Sequence, residues 1–266
     1  AGPPRANGQP CDDLTQPFAP GVPGLVRTYV TKAYDESGKD LMHLQSAVDG
    51  FEVFVRAVGI GPQVRVMKYD PSQPLHQRYR VDRDFMSKED EQLVIDTTLT
   101  INTFFGWDFN SCEMLSRDGV YYPIDFANPC PDSQVNSIHY HWPWYVLSNL
   151  KWAVFNAATN RRMRKTVDFE PYYKIAKKDL PYREKLQAYA KIARTRLSTA
   201  EFEEFDDKHL GPLEDAAFAW FRSERCVEAI RLKVANVFPE HEVDEFTGKF
   251  HALVLQSVDD LEASSK

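Results

Sequence analysis

The stretch that most constrains this chain is a single hairpin, Ser111 to Asn128, reading SCEMLSRDGVYYPIDFAN. Two short β-rich runs flank Arg117-Asp118-Gly119, and Asp-Gly between such runs is a strong short-range signal for a tight hairpin. With a three-residue loop, Glu113 falls directly opposite Asp125. Facing residues on a sheet have Cβ atoms about 4.5–5.5 Å apart, and two carboxylates that close repel unless a cation or a proton lies between them. Asn128 adds a neutral oxygen at the end of the strand. Two carboxylates and an amide oxygen form a donor set that suits a hard cation such as Mg²⁺, with phosphate oxygens completing the shell. The plain alternative is a surface hairpin with two solvated acids. Pro123 removes one ladder donor, so its strand must be an edge or carry a bulge there.

Around this hairpin the chain reads as α+β: an antiparallel sheet with packed helices, followed by an all-α C-terminal region. Leu41–Gln45, Phe51–Val58 and Val64–Tyr69 read as strands from their alternation and β-branched content. Glu52, Phe54 and Arg56 share one face of the second strand. A charged pair beside an aromatic fits a sheet face that covers a ligand. Residues 70–84 read as a polar loop. Ser87 caps a helix that runs through Phe105 and stops at Gly106. Residues 1–26 are Pro/Gly-rich and expected to be irregular. The chain then divides into a sheet-bearing part, 27–140, and a helical part, 141–266. In that second part Pro143 and Pro181 each open a helix. Ser198-Thr199-Ala200-Glu201 has the pattern of a capping box. Gly211-Pro212 separates that helix from a longer one through Val234, and a last helix carries Phe246 to Leu255.

The totals narrow the function classes. A formal charge of −7 over 266 residues argues against a dedicated nucleic-acid binder. The four cysteines are scattered with no CxxC pair, so neither a zinc ribbon nor a disulfide framework is expected, and a reducing cytoplasm is the expected setting. No apolar run reaches the length of a membrane span. The chain opens Ala1-Gly2-Pro3-Pro4 without an initiator Met, which suggests a fragment or processed product. His139 and His141, on one face of an expected strand, form a candidate metal pair read as structural or surface, and the basic run Arg161–Lys165 reads as a solvated helix end.

The order of strand, strand hairpin, basic loop, helix and acidic hairpin resembles the C-terminal catalytic half of the ATP-grasp superfamily, close to D-alanine–D-alanine ligase-like and RimK-type ligases. The residues that carry the resemblance are AYDESG, LMHLQSAVDGFEVFVRAVGIGPQVRVMKYDP and CEMLSRDGVYYPIDFANPCPD. They span Ala33 to Asp132, under half the chain. The resemblance implies a carboxylate–amine or carboxylate–thiol ligase that uses Mg²⁺ and ATP through an acyl phosphate, acting on small-molecule or peptide substrates. It places adenine recognition on Met42–Val48, around Gln45 and Val48, and ribose on Glu52. Phosphate falls to Arg78, with Lys68 and Arg65 as alternates, and the metal to Glu113, Asp125 and Asn128. The family spacing is acid-x-Asn, whereas this chain has Asp-x-x-Asn. Period-two geometry sends Asn128 to the other face unless a bulge lies near Phe126-Ala127. The family's N-terminal sheet, with its phosphate-binding lysine and Gly-rich flap, has no match before Ala33, so a further segment or a partner chain is expected to complete the site. Two other readings share these acids: a non-catalytic nucleotide-binding-like module with a helical protein-interaction region, and a metal-dependent phosphohydrolase.

Overall fold

The computed structural model describes residues 32, 33, 35–38, 48–82, 84–129, 131–162 and 167–264. The chain forms two compact units, Ala1–Phe51 and Glu52–Lys266. In the first, Lys32, Ala33, Asp35 and Glu36 are helical, and Gly38 closes the turn at φ 76°. The expected strand Leu41–Gln45 lies outside the described residues.

The second unit is α+β. Five strands, β1 (Val53–Ile60), β2 (Gln63–Tyr69), β3 (Tyr79–Arg80), β4 (Phe109–Arg117) and β5 (Val120–Asn128), form one antiparallel sheet in the order β3-β2-β1-β4-β5. Paired residues share a face. Val55, Ala57, Cys112, Met114 and Tyr121 therefore line one side, where they pack on Val94 of helix α1 (Lys88–Phe105). Ser87 caps α1 as expected, its hydroxyl accepting from the Asp90 N–H at 3.1 Å, and Gly106 ends it at φ 76°.

The opposite face is divided. Towards Ile60 it is closed by helix α3 (Trp142–Ala158), with Trp152 and Phe155 against Val58 and Ile60. Towards Phe54 it carries the polar residues described below. The helices of the second half are α2 (Val135–Ile138), α4 (Glu170–Ala176), α5 (Tyr182–Arg196), α6 (Thr199–Phe205), α7 (Gly211–Phe221), α8 (Glu224–Ala235) and α9 (Val243–Ser264). Leu147, Phe221, Ile230, Phe250 and Val254 join α3, α7, α8 and α9 in one core. Helix α5 backs α1 through Leu99, Ala193 and Leu197.

Several local expectations are corrected. The 70–84 loop contains a short 3₁₀ turn, Leu75–Gln77, and the two-residue strand β3, too brief to show a period. Ser198 stands before α6 at φ 54° and its side chain makes no cap, so the capping box does not form. Gly211-Pro212 does not separate helices: α6 runs through a π turn, Asp206–Leu210, directly into α7. The longer helix breaks instead at Arg222-Ser223. His139-Tyr140-His141 is a 3₁₀ turn and not a strand.

The β1–β2 turn packs closely on helix α3. Gly61 has φ 56°, and a Cβ there would lie 2.4 Å from the Trp152 ring. Gly119 has φ 71° with nothing within 4 Å of such a Cβ. Gly61→Ala is therefore expected to lower stability by about 2–4 kcal/mol, combining left-handed strain and overpacking. Gly119→Ala should cost about 1–2 kcal/mol from strain alone. Urea unfolding of the two variants measures the difference.

Candidate functional site

The hairpin turn comes first, because it sets the register. Arg117 pairs with Val120, so the loop is two residues and not three. Asp118 at φ 53° and Gly119 at φ 71° both have positive φ, as a type I′ turn requires. Continued without interruption, this register would set Glu113 opposite Ile124. It is interrupted: Met114 pairs with Pro123, but Glu113 pairs with Asp125. Ile124 is an extra residue on β5, and the bulge it makes restores the facing acids by a different route from the one expected. A second shift lies between Glu113↔Asp125 and Ser111↔Asn128, where β5 spends three residues against two on β4. This is a bulge at Phe126-Ala127, and it returns Asn128 to the face of Asp125.

Asn110 holds that second bulge. Fully buried on the α1 side, its amide nitrogen donates to Phe126 O at 3.0 Å and to Asn102 Oδ1 of α1 at 2.8 Å. Its carbonyl oxygen accepts from the Asn128 N–H at 2.9 Å. One side chain thus takes up backbone groups that the bulge removes from the ladder. Gly59 is paired with Asn110, and a Cβ there would fall 2.4 Å from Asn102 Nδ2, so the glycine makes room for the two amides.

The polar face is built in cross-strand rows. Arg56, Glu113 and Asp125 are paired in turn across β1, β4 and β5. Beside them runs an aromatic and apolar row, in which Tyr69 pairs with Tyr79 and Phe54 with Leu115, which in turn pairs with Tyr122. The Phe54 and Tyr69 rings meet edge-on at 4.9 Å. Arg56 is 6% exposed. It donates to the Tyr79 hydroxyl and, at 3.3 Å, to Ser111 Oγ, while its Nε stands 3.9 Å from Glu113 Oε1. The guanidinium is thereby anchored on Tyr79 and Ser111 and faces Glu113 across a gap longer than a hydrogen bond. Burial pushes the Glu113 carboxyl above its ordinary value; Arg56 opposes that shift and Asp125 adds to it. Asp125 is exposed.

The other expected site residues are dispersed. Gln45 lies outside the described residues. Val48 belongs to the first unit, just before a turn at Asp49-Gly50. Glu52 is exposed at the entry to β1, its N–H donating to Ser116 O at 2.8 Å; the nearby Arg56 guanidinium stands 3.9 Å from Glu113. Lys68 pairs with Val55 and so faces the α1 side, away from Glu113, where it binds Asp82 at 2.6 Å. Arg78 donates to Gln73 O at 2.9 Å and to the Tyr69 hydroxyl at 3.2 Å, which ties it to the aromatic row. Arg161, from the basic run, lies over the Trp152 ring at 4.7 Å and donates to Arg196 O.

Sequence reasoning did not single out Asn110, Tyr79, Ser111 or Asp132. Asp132 accepts from Ser137 Oγ and the Gln134 N–H, shaping the entry to α2, and its charge reaches the Tyr79 hydroxyl. Only Ser111 had a readable signal, standing two residues from Glu113 on the same strand face. Among the described residues no group of three or more His, Cys, Asp and Glu side chains converges as a metal site, and no helix is long and apolar enough to cross a membrane. Compared with known proteins, the chain matches no family model, and neither a curated protein nor a solved structure matches it significantly.

Two outcomes test this geometry. Asn110→Ala strands the Phe126 carbonyl and the Asn128 N–H, and should cost about 2–4 kcal/mol in urea unfolding. Glu113 binds its proton more tightly in the folded than in the unfolded chain, so its contribution to stability falls as pH rises from about 4.5 through the raised folded value. Glu113→Gln removes that term. Unfolding free energies measured from pH 4 to 8 should therefore lose less with rising pH in the variant than in the parent.

Proposed function

We propose that this chain carries the metal-holding sheet of an ATP-grasp-type ligase, joining a small-molecule or peptide carboxylate to an amine or thiol at the expense of ATP. The observation that carries the reading is the row Arg56–Glu113–Asp125, with Asn128 returned to the same face by the second bulge. The donor set fits Mg²⁺: two carboxylates and an amide oxygen, one of the acids held above its ordinary pKa by burial and by its neighbour. Glu113 and Asp125 would hold the ion, with Asn128 as third ligand. The ion would supply charge neutralisation at the phosphates.

The protein's own share is positioning. Phosphoryl transfer asks for in-line placement and electrostatic stabilisation more than for covalent help. Arg56 is a fixed positive charge behind Glu113, set by Tyr79 and Ser111 before any ligand arrives, so little reorganisation is needed when anionic oxygens approach. The aromatic row Tyr69–Phe54 offers an apolar surface beside the acids, suited to a flat base. Arg78, held to Tyr69, is the candidate contact for the transferred phosphoryl or the acyl phosphate that follows. Glu52, at the open end of β1, remains the candidate for the ribose hydroxyls.

Asp125→Asn should abolish Mg²⁺-dependent ATP binding, read by calorimetry, while the melting temperature without metal stays the same or rises, because one of two facing charges is removed. A variant that binds Mg-ATP like the parent overturns the metal assignment. Activity separates the readings that share these acids. A ligase releases ADP only when carboxylate and nucleophile are both supplied; a phosphohydrolase releases phosphate without either.

A further inference from the structure

The charge of this chain is unevenly placed. Residues 160–196 carry twelve Lys and Arg against four Asp and Glu, although the whole chain has a formal charge of −7. Several of these cations are tied within the protein. Arg161 donates to Arg196 O at 2.7 Å, Arg183 to Glu89, Lys185 to Ala176 O at 3.2 Å and Arg194 to Asp96 at 2.5 Å. The lysines of α4 and of the turn after it differ. Lys177 and Lys178 are exposed and bind no carboxylate among the described residues. Lys174 meets Glu170 only as an exposed pair one helical turn apart, at 3.7 Å, an arrangement of little strength. The basic excess therefore reaches the surface at α4.

The same helix begins a run of aromatic rings. Tyr173 meets Phe169 at 6.4 Å, Phe169 meets Phe104 at 4.8 Å, and Phe104 meets Phe105 at 5.1 Å. Phe105 then stacks on Trp107 at 4.7 Å and lies 6.5 Å from Phe126. Tyr173, Phe105 and Phe169 are 52%, 44% and 38% exposed. The run is braced from beneath. Arg196 lies over the Tyr172 ring at 4.8 Å and donates to Asp168 O and, at 3.4 Å, to Thr103 O. The hydroxyls of Thr103 and Tyr172 share a hydrogen bond of 2.7 Å. The rings are thus set before any partner arrives. They lie on the α1 side of the sheet, where Phe126 packs, whereas Asp125 stands on the opposite face with Glu113 and Arg56. This surface is therefore distinct from the acidic row.

Its composition selects the partner. Contiguous exposed apolar surface marks an interaction site. Every large apolar side chain exposed along this run is aromatic, and exposed aliphatic ones such as Leu150, Val154 and Leu232 belong to other helices. A lipid surface or a protein partner is served by leucine and valine as well as by rings. Nucleic-acid bases are not: they stack on π-faces, and an unpaired strand leaves its bases open to do so. The lysines at one end of the run supply contacts for phosphates. The acidic remainder of the chain confines a polyanion to this place.

We infer that this surface binds single-stranded nucleic acid, its bases stacked on Tyr173, Phe169 and Phe105 and its phosphates against Lys174, Lys177 and Lys178. The site stands independently of the ligase reading, and its test uses neither ATP nor divalent metal. The whole chain is titrated, in EDTA and low salt, into labelled oligothymidylate and oligouridylate, and binding is read by fluorescence anisotropy. Saturable binding is expected, weaker for a duplex of the same length. Three phosphate contacts to a single strand give a logarithmic salt slope of about −2, and the combined variant Lys174→Gln, Lys177→Gln, Lys178→Gln should lose most of it. Tyr173→Phe should bind like the parent, and Tyr173→Leu and Phe105→Leu about tenfold or more weakly, all with unchanged circular-dichroism melting. Asp125→Asn should bind like the parent. Absence of saturable binding to both oligonucleotides overturns the inference. So does equal affinity for the duplex, or affinity unchanged in both leucine variants and the lysine variant. Competition by polyglutamate as strong as by unlabelled oligonucleotide would reduce the surface to charge alone. Association with phosphatidylserine vesicles without oligonucleotide binding would assign it to a membrane. Loss of binding in Asp125→Asn would move the ligand to the acid pair. Each of these three also overturns it.

Discussion

The geometry of the acidic face rests on one buried amide. Asn110 faces away from the acids, yet it binds the Phe126 carbonyl and the Asn128 N–H while α1 holds it from behind through Asn102. A bulge leaves backbone groups without ladder partners, and such groups are costly inside a protein. Supplying them from a side chain fixed on a helix makes the irregular register a stable one. The glycine at position 59 belongs to the same arrangement, since any side chain there would displace the Asn102 amide. Three residues on the hidden side of the sheet therefore govern which way Asn128 faces on the other.

The visible side has its own hierarchy. Arg56 is almost wholly buried, and a buried guanidinium needs partners on more than one side. Tyr79 and Ser111 supply them, which explains why a strand as short as β3 matters: it carries the tyrosine that fixes the arginine. Glu113 then lies between a fixed cation and a neighbouring carboxylate. Desolvation outweighs the cation in setting its protonation, so the carboxyl holds its proton more tightly than usual, and a further positive charge would favour its ionised form. The helical half contributes by closing the other end of the same face through Trp152 and Phe155, which confines the polar rows to the end near Phe54.

Much of this was legible in the residues, and what was not has identifiable causes. Alternation gave β1 and β2 to within two residues, and Ser87 and Gly106 bounded α1. Asp-Gly announced the hairpin, but loop length and bulges enter the register as a sum. A three-residue loop and a two-residue loop with one bulge both bring Glu113 to Asp125, and only the φ values of Asp118 and Gly119 separate them. The bulge at Phe126-Ala127 followed from asking how Asp-x-x-Asn could converge. The face of Lys68 was not legible from its type as a basic residue near a strand end, because parity decides it; its pairing with Val55 sends it to the helix side. Asn110 carried no local signal, since its partners are backbone groups brought close only by the irregular register. In the helical half, Gly211-Pro212 looked like a break because composition does not show a helix continuing through a π turn.

Strand β5 lies at the margin of the sheet, and its departures from regularity have a meaning beyond the orientation of Asn128. A straight marginal strand offers a continuous run of unpaired amides and carbonyls on which another chain can template. Pro123 lacks one of those amides, and the extra residues at Ile124 and Phe126-Ala127 twist the rest out of line. The same devices that aim the acids thus deny this border to strand addition. Among the described residues, what β5 presents in an ordered way is its face, where Asp125 stands exposed.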